Sequence, residues 1–130
     1  MYWNTSKHIA QPNSINLVFR RFCATKRFGV CWTTCSKEEE AEELASSLLK
    51  KKVCSCVSII PKVTSMYWWN GEICKDKEYS LMIKYVKHNQ ETLIDSIKTL
   101  HSYDVPEIIC VDIVDGNKDY FSWILETSKE

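Results

Sequence analysis

Seven cysteines and three histidines are the groups in this 130-residue chain whose chemistry reaches beyond packing. Thiolates are soft ligands that favour Cu(I) and Zn(II), and imidazole serves both. Cys54 and Cys56, placed in one predicted strand, point the same way with Cα atoms about 7 Å apart. That is at the edge of the usual disulfide span but within reach of one shared metal ion. Cys31 and Cys35, if extended, lie about 13 Å apart and cannot share an ion. No Cys-x-x-Cys knuckle with a second pair occurs, which argues against a structural zinc site. Beside every metal reading stands the ordinary one: strand cysteines are small buried hydrophobes, the reading we give Cys54, Cys74 and Cys110.

His101 closes a predicted helix, where a positive charge is welcome. It either anchors the loop that follows or joins a cleft with Trp69, Glu78, Lys84 and Tyr103 that suits an anion or a metal. Trp68 and Glu107 are counted with that cleft. Lys84 lies inside an apolar strand and needs an acidic partner, for which Glu78 is the candidate. His8 and His88 read as tail and loop residues. Catalytic signatures are missing: there is no Gly-x-Ser-x-Gly, no His-Glu-x-x-His, and only three glycines to build a phosphate loop. The chain does not read as an enzyme, and no organic cofactor is expected.

Length and composition fit one domain, and no run approaches the roughly 18 apolar residues of a membrane span. Net charge is zero, so bulk electrostatics do not suggest nucleic acid. The charge is unevenly placed. Residues 1–37 carry Lys7, Arg20, Arg21, Lys26, Arg27 and Lys37 and no acid, so the remainder holds all 17 acids against 11 bases. Residues 1–27 therefore read as a basic N-terminal extension, either a disordered tail or a mitochondrial or plastid presequence. Residues 28–130 form the domain. An odd cysteine count without a secretory signal points to a reduced, cytoplasmic protein, with the organelles as the alternative.

The elements that must position these groups follow from periodicity. "FGVCWTTC" (28–35) reads as a strand. Ser36 with Glu39 reads as a capping box opening a helix whose stripe is Ala41, Leu44, Ala45, Leu48 and Leu49. "VCSCVSII" (53–60) reads as a strand covered on both faces, interrupted at Pro61 and resuming to Trp69. Asn70-Gly71 predicts a type I′ hairpin turn. In the returning strand Tyr79, Leu81, Ile83 and Tyr85 face one way, Met82 and Val86 the other. A second helix follows Asn89 on Leu93, Ile94, Ile97 and Leu100. "EIICVDIV" (107–114) is the last strand, and a short aromatic helix occupies about 118–127. The order β-α-β-β-α-β-α predicts an α+β, ferredoxin-like split βαβ fold with a C-terminal helix. Two helices cover one face of such a sheet, yet the central hairpin is apolar on both. Leaving the second face wet exposes more apolar surface than monomers carry, so self-assembly is expected.

Linked motifs then resemble the CutA divalent-ion tolerance family from about residue 28 to 126. These are Thr34-Cys35 before the first helix, Cys56-Val57, "IIPKVTSMYWWNGEI", Glu78 and Lys84, "LHSYDVPEII" and "GNKDYFSWI". Ser102 stands where the family has proline, Lys62 where it often has glycine, and Cys54 where alanine is common. The resemblance implies a homotrimer held by hairpins crossing between neighbours, which makes the cleft inter-subunit. It also implies a link to copper and other divalent-metal tolerance. Cys35 and Cys56 match family cysteines and, with His101, become candidate ligands for copper or another divalent ion. A protein partner is the alternative implication, since animal members are associated with anchoring acetylcholinesterase. A small-ligand sensor built on the cleft is a further one.

Overall fold

A computed structural model describes residues 27–129. The expectations for residues 1–26, among them the targeting reading, His8 and Cys23, lie outside the described residues. In chain order the elements are β1 (Phe28–Cys35), α1 (Glu38–Lys50), β2 (Cys56–Trp69), β3 (Glu72–Val86), a 3-10 turn (Lys87–Asn89), α2 (Gln90–Leu100), β4 (Ile109–Ile113) and α3 (Lys118–Thr127). One four-stranded sheet orders the strands β2-β3-β1-β4, every neighbouring pair antiparallel. This is the expected split βαβ arrangement with one helix added.

The helix stripes select which sheet face is dry. Ala41, Leu44, Ala45 and Leu48 of α1 and Leu93 and Ile97 of α2 pack on Cys31, Cys35, Leu81, Ile83 and Tyr85. These strand positions are all odd-numbered, as a period of two requires. Each large side chain so covered contributes about 1.5–3 kcal/mol. Leu49 and Leu100, expected in the stripes, are exposed at the margins. Gly29 is fixed by the same packing: the Tyr85 ring lies 2.4 Å from where a Cβ would stand.

Three local expectations need correction. The capping box does not form: α1 starts at Glu38 with Lys37 at its N-cap, and the Ser36 hydroxyl donates to Glu40 Oε2 at 3.0 Å. Because the helix begins one residue later, Ser36 is off the N-cap position and its hydroxyl makes a charge-assisted bond to Glu40 instead, while Glu38–Glu40 still complement the helix dipole. The strand after α1 begins at Cys56, not Val53. The chain leaves α1 through Lys52, whose φ of 57° is the left-handed C-terminal position usually given to glycine. Val53 and Cys54 then drop into the helix-side core. Finally, β2 is a sheet edge rather than a strand covered on both faces. Pro61 does not stop it: pairing passes from Ile60↔Ser80 to Val63↔Glu78, so one extra residue bulges out, with Lys62 at φ 56°. The bulge reverses which face successive β2 residues present. Asn70 and Gly71 take positive φ of 49° and 78°, the type I′ turn expected.

The second sheet face carries the even-numbered residues of β1 and β3, with Ile109, Val111 and Ile113 of β4. At one end α3 covers it: Phe28 stacks on Phe121 with centroids 4.6 Å apart, and Val86 and Ile124 complete the cluster. Sequence periodicity found α3 but not its place, which is set by the Phe28 and Val86 side chains it must bury. Away from α3 the rows Cys56–Lys84–Val30–Val111 and Ser58–Met82–Trp32–Ile109 cross the sheet, with Ile109 and Val111 exposed at its margin. No helix among the described residues is long and apolar enough to cross a membrane.

Candidate functional site

The segment after α2 wraps the end of the sheet and places one group on each face. On the helix side, His101 Nε2 lies 2.7 Å from the Thr34 carbonyl and 3.8 Å from Cys35 Sγ, while the Tyr103 backbone N–H donates to Nδ1 at 3.0 Å. A carbonyl only accepts and a backbone N–H only donates, so the ring is neutral with its proton on Nε2. His101 is therefore the loop anchor, and it does not line the cleft. Cys35, His101, Glu40 and Glu43 border a hollow of about 260 Å³. Burial, aided by the charges of Glu40 and Glu78, pushes the Cys35 thiol up to about 11. It rests protonated at neutral pH.

Cys56 is elsewhere. It lies on the even-numbered face in the row of Lys84, two strands and five residues from Cys35, which puts the two roughly 19 Å apart. The expected ligand set of Cys35, Cys56 and His101 is thus not one site within a chain. Cys54 and Cys56 likewise fall on opposite sides of the sheet, because Cys54 precedes the strand. Among the described residues no three His, Cys, Asp or Glu side chains are grouped to hold a metal ion. Lys84 does not meet Glu78, since six residues of strand hold them about 20 Å apart. Its ammonium donates instead to Ser58 Oγ at 2.6 Å and lies 3.6 Å from Cys56 Sγ.

On the second face the outer hairpin and residues 103–107 enclose a cleft of about 870 Å³. Trp69, Glu78, Tyr103 and Glu107, all expected there, line it together. Glu78 is 8% exposed and accepts a hydrogen bond from the Tyr103 hydroxyl at 2.9 Å. Burial and that bond push the Tyr103 phenol up to about 12. Trp68 is not in the cleft. It pairs with Ile73 on the opposite hairpin face, 73% exposed. Tyr67, Asp104 and Val105 belong to the cleft and were missed. Strand alternation is the signal that finds Tyr67, two residues before Trp69 and therefore on its face.

A family model described as the CutA1 divalent ion tolerance protein matches residues 29–127. This chain belongs to the CutA family. It is 38% identical over 95 residues to the divalent-cation tolerance protein CutA of Thermus thermophilus, covering 73% of this chain and 92% of that protein. It is 36% identical over 101 residues to the chloroplastic protein CutA 1 of Oryza sativa subsp. japonica, covering 78% of this chain and 57% of the rice protein. The crystal structure of CutA1 from Oryza sativa superposes with a TM-score of 0.78 at 33% identity, covering 82% of this chain and 99% of that one. The ordered motifs from β1 to α3 are thus a CutA signature in this chain.

Proposed function

We propose that this CutA chain serves divalent-cation tolerance as a homotrimer, without catalysing a reaction, and that it meets copper through Cys35 and His101. The observation that carries the assembly is the outer hairpin. In a single copy Trp68 is 73%, Met66 66%, Trp69 65% and Ile73 62% exposed, so both faces of one ribbon present large apolar side chains to water, which favours burial against other copies. Family membership supports the tolerance role. A thiol beside an imidazole suits a soft ion such as Cu(I); binding it at Nε2 would displace the thiol proton and require the ring to pass its Nε2 proton to Nδ1, giving up the bonds to Thr34 and Tyr103. Cys56 takes no part in this pair. Native mass spectrometry of the full chain, purified from its own cells without chelators, tests both parts together. The reading expects a species of three 15.2 kDa chains carrying copper that Cys35→Ser abolishes and Cys56→Ser leaves in place. A metal-free single chain contradicts it.

A second reading, a small-ligand sensor built on the inter-subunit cleft, is favoured by the 870 Å³ space beside Glu78. Stable capture of a protein by the metal-free trimer favours a scaffold instead.

A further inference from the structure

Read alone, Cys110 is a packing residue, but the sheet sets it directly opposite Cys31. Partners across an antiparallel ladder have Cα atoms about 4.5 or 5.5 Å apart, and both spacings fall inside the disulfide range. The two side chains share the helix-side core, where the thiols lie near enough to interact directly. No other described thiol is so placed. Cys35 stands at the far end of β1, and Cys54 reaches the same core from the segment before β2, with no ladder to align it. Tyr85 adds a second observation. Its ring crosses Gly29 toward β4, and its hydroxyl donates to Gln90 Oε1 at 2.8 Å. With its one proton so used, that oxygen meets the Cys110 thiol as an acceptor. The pair is asymmetric in access: Cys31 is fully buried, and Cys110 is partly exposed on the edge strand β4. The chain's own α1 and α2 roof this face, so completion of the outer hairpin by other copies leaves the pair unchanged.

From this placement we infer that Cys31 and Cys110, free thiols in this structure, form a reversible disulfide within each subunit when the protein meets hydrogen peroxide. Cys110, the accessible thiol, attacks the peroxide: an S–O bond forms, the O–O bond breaks, and the leaving oxygen departs as water with the thiol proton. Cys31 then attacks the sulfenic sulfur of Cys110. The S–S bond forms, the S–O bond breaks, and hydroxide leaves with the Cys31 proton as a second water. The two thiols lose two electrons and two protons, and one peroxide becomes two waters. Burial and the neighbouring sulfur hold Cys31 in its neutral form, so the second step is the slow one and the pair answers sustained rather than brief exposure. The bond restrains β4, which pairs with β1 alone, and with it the end of the segment that carries His101 and Tyr103. The inference rests neither on copper at Cys35 nor on the cleft.

The test exposes the full chain to hydrogen peroxide, blocks the remaining thiols under denaturing conditions, and maps the peptides by mass spectrometry. The expected product is a single chain of 15.2 kDa under non-reducing, denaturing conditions, lighter by two hydrogens, with Cys31 linked to Cys110 and the link lost on adding dithiothreitol. Amide exchange in β4 should slow about tenfold or more, and the thermal midpoint should rise by several degrees. Cys110→Ser, at a partly exposed position, should abolish the link and both effects, while Cys54→Ser should leave them in place. The wild-type peptide map decides the matter even if a variant misfolds. Cys110 recovered as sulfinic or sulfonic acid with Cys31 still free overturns the inference, as does a link from either residue to another cysteine or to another chain. Both thiols staying reduced after prolonged exposure overturns it as well.

Discussion

The two halves of the β2–β3 hairpin share one continuous hydrogen-bonded ladder and nearly nothing else. In the inner half, Leu81, Ile83 and Tyr85 are wholly buried beneath α1 and α2. In the outer half, beyond the bulge at Pro61-Lys62, residues of comparable size stand in the open. Backbone pairing is therefore not what distinguishes a stable strand here; a layer above it is. The inner half obtains that layer from its own chain. A two-stranded ribbon is marginal by itself, and in the proposed trimer the outer half obtains its layer from other copies.

Substitutions can separate the halves. The largest effect belongs to the inner half: Ile83→Ala should lower stability by about 3–4 kcal/mol, at any protein concentration, in urea unfolding. A loss that disappears on concentrating the protein would instead place Ile83 in the interface. Alkaline pH should act on the same half. Burial holds the Cys54 thiol up to about 12 and Cys35 up to about 11, and pushes Cys31 beside Cys110 further still. These thiols ionise in the unfolded chain from their ordinary value of 9.0, so above it the unfolded state has released protons that the folded state retains. Their contribution is intact below pH 9 and is lost as pH rises through about 11–12, at least roughly 2 kcal/mol from Cys54. Unfolding midpoints that stay level from pH 8 to 11 would contradict that account.

Smaller effects sharpen the boundary between the halves. Lys62→Gly relieves a left-handed residue at the bulge and should add about 1 kcal/mol, detectable as a raised thermal midpoint. Thr33 is fully buried in the core and its hydroxyl has no hydrogen-bond partner in the structure. Thr33→Val keeps its shape and should stabilise by about 1 kcal/mol. A destabilised valine variant would mean that the hydroxyl is bonded in solution.

Much of this arrangement was legible beforehand because it depends on local period. The stripes of α1 and α2, the Asn70-Gly71 turn and the bounds of α3 each rest on residues within a few positions of one another. The errors were of two kinds. Pairing Lys84 with Glu78 ignored strand rise, and grouping Trp68 with Trp69 ignored alternation; both were avoidable from sequence. The Tyr103–Glu78 bond, the Lys84–Ser58 bond and the separation of Cys35 from Cys56 were not. Each depends on which strands become neighbours or on where the loop after α2 comes to rest. The Ser36 cap belongs with the avoidable ones by one residue only: the helix starts at Glu38, which leaves Lys37 rather than Ser36 at the N-cap.

The claim on which the rest turns is that the outer hairpin is completed by other copies of the chain. Sedimentation equilibrium of the full chain at micromolar concentration, beside a Trp68→Ser/Trp69→Ser variant, tests it most directly. The account predicts a species of three chains for the wild type and dissociation toward single chains for the variant. A folded, stable single chain in the wild type would contradict it.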